Sequence, residues 1–308
     1  MINRLKQEIH KVVIGHEALI DSMLIALFSN GHILVEGVPG VAKTTAVNSL
    51  AKAIGFDFKR VQFTPDLLPS DIIGNEILDL KRNEYKIKHG PIFTNLLLAD
   101  EINRSSPKVQ SALLEAMAEG QVTIGESSFK LQEPFMVLAT ANPIDQEGTY
   151  ELPEASLDRF MLKVIVGYNS FEQELDIMEL SANRSFATIE QVLDAESFIE
   201  IKEQIESVHI DQALKEYILK LIFATRQPEE ALAKYIDFGV SPRGSIALFK
   251  AARALSYIEG KDFVTPAAIA KAAYLTLRHR INLSYQATVD GINSDMIIEK
   301  ILKEIPAP

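Results

Sequence analysis

One octapeptide narrows the possible folds of this chain more than any other stretch. A short apolar run, His32 to Glu36, leads into Gly37-Val38-Pro39-Gly40-Val41-Ala42-Lys43-Thr44, and a helical pattern runs from Lys43 to Ile54 before stopping at Gly55. The eight residues match the phosphate-loop pattern G-x-x-x-x-G-K-[ST] everywhere except Ala42. A strand, a tight loop and a helix N-terminus in this order surround an anion with backbone N–H groups and the positive end of the helix dipole. In such a loop Lys43 would reach the β- and γ-phosphates of a nucleotide, the Thr44 hydroxyl would ligate Mg²⁺, and Thr45 would lie in the first helical turn. If the backbone at position 42 needs a positive φ, alanine there costs about 1–2 kcal/mol. An ordinary strand–helix turn with an exposed lysine would carry the same residues, so the rest of the chain must decide.

The remainder of the first half supplies a suitable frame. Phe58 to Phe63, Leu96 to Asp100, Phe135 to Ala139 and Met161 to Val166 read as further strands. Continuously apolar runs such as Leu96-Leu97-Leu98 suit parallel strands covered on both faces. A helix is predicted to start with Ser106 as N-cap and Pro107 at its first position, and to end at Gly120. Gln121 to Gln132 reads as a β-hairpin around Gly125-Glu126. Strands alternating with helices imply an α/β domain with a parallel sheet of about five strands and helices on both faces.

From about Ser170 the pattern is helical, with no convincing strand. Ser170-Phe171-Glu172-Gln173 is a capping box. Ser241-Pro242 and Thr265-Pro266 each read as an N-cap followed by proline at the first helical position. The predicted division is therefore an α/β domain over residues 1–169 and a small all-helical domain over 170–308.

Acidic and polar groups gather at the strand ends. Leu96-Leu97-Leu98-Ala99 closes with Asp100-Glu101, and ligands in open α/β sheets bind at the carboxyl ends of strands. Asp100 could hold the Mg²⁺ shell while Glu101 activates a water for attack on the γ-phosphate. Phe135 to Ala139 runs into Thr140-Ala141-Asn142-Pro143, where Asn142 could hold that water without adding charge; Asn-Pro also simply initiates turns. Arg243 is predicted in the first turn of a helix, where a cation opposes the dipole. Such a local conflict marks either a surface residue of small cost or a functional one. Arg159 ends a helical stretch, where a cation is favourable, so the pattern leaves its role open. The six histidines show no ligand spacing.

Taken together, Gly37 to Thr44, Leu97 to Arg104, Gln110 to Gly120, Ala139 to Pro143, Leu152 to Phe160 and Gly239 to Gly244 resemble, in order and spacing, the MoxR family of AAA+ ATPases over nearly the whole chain. The resemblance implies a nucleotide-binding domain followed by a helical lid, with ATP and Mg²⁺ as ligands. It implies that Lys43 and Thr44 are the Walker A residues, and that Asp100 and Glu101 are the Walker B pair. Asn142 would be sensor 1, Arg159 an arginine finger acting on a neighbouring subunit, and Arg243 sensor 2. Val13-Ile14-Gly15-His16 resembles the segment that packs against adenine, so Ile14 and Gly15 join the candidate binding residues. Gln62 occupies the place of a polar switch residue that holds the catalytic glutamate. Asp66 to Pro91 is implied to interrupt the helix after the second strand, and Gln121 to Gln132 to be the hairpin before sensor 1. Both insertions face the ring pore or the partner in related machines. A ring, expected as a homo-hexamer, would remodel or mature a partner protein, often one with a von Willebrand factor A domain.

Composition limits the alternatives. The net charge of −11 counts against nucleic acid as the main partner, and so against a motor related to MCM-type helicases. The ATPase subunit of a metal chelatase and a nucleotide-gated scaffold without turnover remain open. No apolar run reaches the length of a bilayer span, and the start of the chain does not read as a signal peptide. With no cysteine, disulfides and thiolate chemistry are excluded, and a cytoplasmic protein is expected.

Overall fold

A computed structural model describes residues 1–38, 40–79, 83–142, 148–182 and 187–308. By compactness the chain forms two units. The first comprises residues 1–23, 32–152 and 164–198, and the second 24–31, 153–163 and 199–308. The helix that begins after Ser170, Phe171–Ala182, therefore clusters with the first unit. The predicted division near residue 170 follows the change in sequence character, and the compact units are cut differently.

In chain order the strands are β1 (Ile33–Gly37), β2 (Phe58–Gln62), β3 (Gly74–Asp79), β4 (Glu84–His89), β5 (Leu96–Asp100), β6 (Gln121–Ile124), β7 (Ser127–Lys130), β8 (Met136–Ala141) and β9 (Leu162–Val166). Two further strands, β10 (Ile236–Phe238) and β11 (Asn282–Leu283), lie in the second unit. Five strands make the main sheet, in the order β2-β5-β8-β1-β9. The pairings of β2 with β5, β5 with β8 and β8 with β1 are parallel. Leu96 to Ala99 and Met136 to Ala139 are buried, as expected of strands covered on both faces. The register sets Gln62 opposite Asp100, Ala99 opposite Ala139, and Val35 opposite Thr140. The carboxyl ends of four neighbouring strands thus finish level, which is what gathers polar residues distant in sequence at one edge.

The helix after β1 runs Lys43–Ile54 and ends at Gly55, whose φ of 77° is the left-handed conformation that glycine adopts without a steric penalty. The helix Pro107–Glu119 begins after Ser106 and ends at Gly120, as predicted, although the Ser106 side chain makes no cap hydrogen bond. β6 and β7 form the predicted hairpin around Gly125-Glu126. The capping box at Ser170 is present. Gln173 Oε1 accepts from the Ser170 N–H at 3.1 Å, and Ser170 Oγ accepts from the Gln173 N–H at 3.3 Å.

After β2 the segment Asp66 to Pro91 carries the five-residue helix Pro69–Ile73, which passes directly into the antiparallel pair β3–β4. One expectation is corrected: the second half is not free of strands, since β10 and β11 pair antiparallel. They escape detection because three-residue and two-residue strands are too short to display a period. Around this ribbon the second unit is helical, and its main helices are Gln212–Arg226, Pro242–Ile258, Pro266–Leu277 and Ser294–Glu304. Ala247, Ala251 and Ala254 on one helix and Ala268, Ala272 and Ala273 on the next are all buried, and such small side chains let helix axes approach closely. Ser241 and Thr265 cap as predicted, accepting from the Arg243 and Ala268 N–H groups. No helix among the described residues is long and apolar enough to cross a membrane.

His32, immediately before β1, ties the first unit together. Its Nδ1 accepts from the Val137 N–H at 3.1 Å, and its Nε2 lies 3.1 Å from the Met117 carbonyl. That pairing suits the neutral ring with its proton on Nε2. Burial pushes the imidazole down from 6.5 to about 4. Between those values the unfolded chain takes up a proton that the folded chain refuses. Stability is therefore fully present above the unfolded value and is lost as pH falls below it. Lowering the pH from about 7.5 to about 5.5 is expected to cost roughly 1.4 kcal/mol through His32 alone. Urea unfolding at both pH values, with His32→Gln as the comparison, measures this. An equally large pH effect in the variant would assign it to other groups.

Candidate nucleotide site

The first unit carries a cavity of about 330 Å³ at the level carboxyl ends of β1, β2, β5 and β8. One wall is the loop after β1, with Gly37, Gly40, Val41, Ala42, Lys43, Thr44 and Thr45. The facing wall is made by Arg60 and Gln62 from β2, Asp100 and Glu101 from β5, and Thr140 and Asn142 from β8 and its end. The predicted phosphate loop and the predicted acidic pair thus share one space. Pro39 lies outside the described residues, and Val38 lines no part of the cavity.

Backbone geometry explains the loop's composition. A Cβ on Gly37 would sit 2.3 Å from the Val166 carbonyl oxygen, so only glycine fits where β1 ends. Gly40 has a φ of 86°, and Ala42 takes the left-handed conformation at φ 51°, ψ 21°. The departure from glycine at position 42 therefore falls on a residue that does need a positive φ, at a cost of about 1–2 kcal/mol. Lys43 begins the helix, and its Nζ donates to the Gly37 carbonyl at 3.1 Å. Burial pushes its ammonium below the ordinary value, while Asp100 and Glu101 pull the other way. A partly buried ammonium next to two carboxylates and a helix N-terminus is suited to an anionic ligand that arrives with a cation.

The acidic wall is ordered by one hydroxyl. Thr140 Oγ1 donates to Asp100 Oδ1 at 2.6 Å and accepts from the Glu101 N–H at 2.8 Å. Glu101 sits at φ 57°, an uncommon conformation for a residue with a side chain, of the kind that clusters at functional sites. Its carboxylate pairs with Arg104 at 3.0 Å within the same chain. Arg60 donates to Asp100 Oδ2 through Nη2 at 2.6 Å and Nε at 3.1 Å, and to Gln62 Oε1 at 3.1 Å. Gln62, the expected holder of the glutamate, thus accepts a hydrogen bond from Arg60 in this structure. Arg60 and Thr140 were not singled out as site residues by sequence. Only the strand register, which sets β2 beside β5 and β5 beside β8, reveals them.

Mg²⁺ keeps several waters and takes only one or two protein oxygens alongside phosphate. Thr44 and Asp100 line the same cavity and supply a hydroxyl and a carboxylate, a hard-oxygen pair that fits this ion. No cluster of three or more histidine and acidic side chains suited to a metal occurs among the described residues.

A second cavity, of about 430 Å³, shares Gly40, Val41, Ala42 and Thr45 with the first. Val12, Ile14 and His16 form one side, and Tyr168, Ile177 and Met178 are among those opposite. Its largely apolar walls suit a flat heterocycle. Burial holds His16 below its ordinary value. Ile14 lines this space as expected, but Gly15 does not; its φ is 70° and the Gln173 side chain lies against it. Arg159 and Arg243 belong to the second unit. Arg243 occupies the first turn of Pro242–Ile258, as predicted.

Comparison with known proteins agrees with this arrangement. Residues 32–162 match the model of the ATPase family associated with various cellular activities, and residues 229–301 match the AAA lid domain. The chain is 45% identical to the uncharacterized protein YeaC of Bacillus subtilis, over 100% of this chain and 95% of that one. It is 42% identical to the chaperone MoxR1 of Mycobacterium tuberculosis, over 98% of this chain and 81% of the relative. A crystal structure of a provisionally assigned ATPase from Cytophaga hutchinsonii superposes with a TM-score of 0.94 at 46% identity, covering 100% of this chain and 94% of that one. A phosphate loop facing an acidic strand end, an α/β domain and a helical lid, and full-length likeness to MoxR proteins together establish that this chain belongs to the MoxR family of AAA+ ATPases.

Proposed function

We propose that the cavity between the Gly37–Thr45 loop and the acidic strand end binds Mg-ATP for hydrolysis, and that a ring of such chains uses the cycle to remodel a partner protein. The observation that carries this reading is the single cavity lined by Lys43 and Thr44 on one side and Asp100 and Glu101 on the other. Backbone N–H groups and Lys43 would grip the phosphates, Thr44 and Asp100 would hold Mg²⁺, and the apolar space around Ile14 would receive the base. Bound Mg²⁺ would neutralise charge on the phosphate oxygens. Glu101 takes the proton of the attacking water, and Asn142 orients that water.

Arg159 acts on the nucleotide of a neighbouring chain, and Arg243 responds to the nucleotide of its own. A finger acting between chains makes a closed ring the working form, a heterologous assembly expected to be a hexamer. The chaperone reading rests on the name carried by the mycobacterial relative, and a partner with a von Willebrand factor A domain is its natural client. Family membership favours this branch over a chelatase subunit or a nucleic-acid motor.

Phosphate release per chain is therefore expected to rise with protein concentration, in step with assembly followed by native mass spectrometry. A rate per chain unchanged down to demonstrable monomer would remove the interchain site. Absence of any phosphate release with Mg²⁺ present would leave only a nucleotide-gated scaffold.

A further inference from the structure

Arg278-His279-Arg280 follows the helix Pro266–Leu277. The Arg280 side chain is only 3% exposed. It donates from Nε to Asp158 Oδ1 at 2.8 Å and from Nη2 to the carbonyls of Asp158 at 3.1 Å and Phe160 at 2.6 Å. Its Nη1 donates to the Met161 carbonyl at 3.0 Å. His279 Nε2 lies 2.9 Å from the Phe160 carbonyl. A carbonyl can only accept, so Nε2–H donates there; burial pushes this ring well below its ordinary value. Arg278 Nη1 reaches the Lys163 carbonyl at 3.1 Å while its own guanidinium is held by Asp295.

Arg280 Nη1 also donates to the Thr276 carbonyl at 2.5 Å, but its other acceptors and that of His279 flank one residue. Asp158, Phe160 and Met161 surround Arg159 in a segment between the short helix Glu154–Leu157 and β9. The rigid, planar fork of Arg280 therefore fixes the backbone on both sides of Arg159, a task for which the point charge of lysine is unsuited. The other oxygen of Asp158 accepts from Ser241 Oγ at 2.9 Å, and Arg243 stands 3.9 Å from it. A Cβ on Gly244 would meet Val240 Cγ1 at 2.1 Å and Arg280 Cδ at 3.0 Å, so glycine leaves the space both side chains occupy. Every residue in this network lies in the second compact unit.

We propose that Arg280 and Asp158 are positioning residues for the Arg159 finger, setting the angle at which it is offered to the neighbouring chain. This rests on the reading of Arg159 as a finger acting between chains. A catalytic arm must be held to a fraction of an ångström, and locked supporting side chains are what provide that.

The test uses mixed rings. Chains carrying Lys43→Ala donate a finger without using nucleotide, and chains carrying Arg159→Ala hold a nucleotide site that lacks only its neighbour's finger. Mixing the two should restore hydrolysis. Asp158→Asn, and separately Arg280→Lys, is then added to the donor chain or to the acceptor chain, with ring composition checked by native mass spectrometry. On the donor, each change should lower the restored kcat at least tenfold and leave KM for ATP within twofold. On the acceptor, the same change should alter the restored rate by less than twofold, because that chain's finger is already absent. Equal losses in both placements would reveal a merely structural tie and overturn the proposal, as would no loss on the donor. If the parent mixture restores nothing although mixed rings form, the interchain finger itself fails and this inference goes with it. Arg280→Lys keeps the charge beside Asp158, so a donor-side loss in that variant isolates the fork from the ion pair.

Discussion

Replacing Arg159 by alanine is expected to lower ATP hydrolysis by about 10³–10⁵-fold while leaving ATP affinity nearly unchanged. A guanidinium offered to a transferring phosphoryl group acts on charge that develops only in the transition state, and so it contributes to kcat and little to ground-state binding. The segment around it has the required rigidity: Arg280 grips the carbonyls of Asp158, Phe160 and Met161 on either side. Fluorescent-nucleotide titration and steady-state phosphate release on assembled rings separate the two quantities. A variant that keeps a tenth or more of the wild-type rate would mean that Arg159 does not meet the reacting phosphate. A variant that loses affinity and rate in equal proportion would make it a ground-state contact.

Much of the site was legible because its parts are local. The glycine positions, the apolar strand before them and the helix after them are consecutive, and the structure returns Lys43–Ile54 with Gly55 as its stop. The strands were legible for a related reason, since a buried parallel strand such as Leu96-Leu97-Leu98-Ala99 announces itself by unbroken apolarity. Caps at Ser170, Ser241 and Thr265 also depend only on neighbours in sequence. What could not be read depends on register. Arg60 sits among Lys59, Val61 and Gln62 in β2, and only pairing with β5 brings it within 2.6 Å of Asp100. Thr140 lay within a recognised motif, yet its hydroxyl bridges Asp100 and Glu101 only because β5 and β8 end level. His32 and Arg280 are buried ties in the fold that no local pattern reveals, because they join segments more than a hundred positions apart. The β10–β11 ribbon belongs to the same class, as neither strand has enough residues to show a pattern without its partner.

Replacing Glu101 by glutamine is expected to trap ATP, with turnover lowered by about 10²–10⁴-fold, the range that a positioned general base supplies, and nucleotide affinity retained or raised. The side chain keeps its size and much of its hydrogen-bonding capacity, so the ordered wall should persist. Thr140 Oγ1 still accepts the backbone N–H of residue 101, and Asp100 still accepts from Thr140. Two things change. The water loses its proton acceptor, and one negative charge leaves the neighbourhood of the triphosphate, which favours binding of an anion. The pairing of Glu101 with Arg104 at 3.0 Å adds a second consequence. Arg104 donates to Glu101 Oε2, so that oxygen accepts from a water only when Arg104 moves aside. Glutamine gives Arg104 no charge to hold. Single-turnover hydrolysis with radiolabelled ATP, alongside equilibrium binding, reads rate and affinity on the same protein. Turnover near the wild-type rate would dismiss Glu101 as the base, whereas loss of binding together with turnover would point to collapse of the wall that Thr140 maintains.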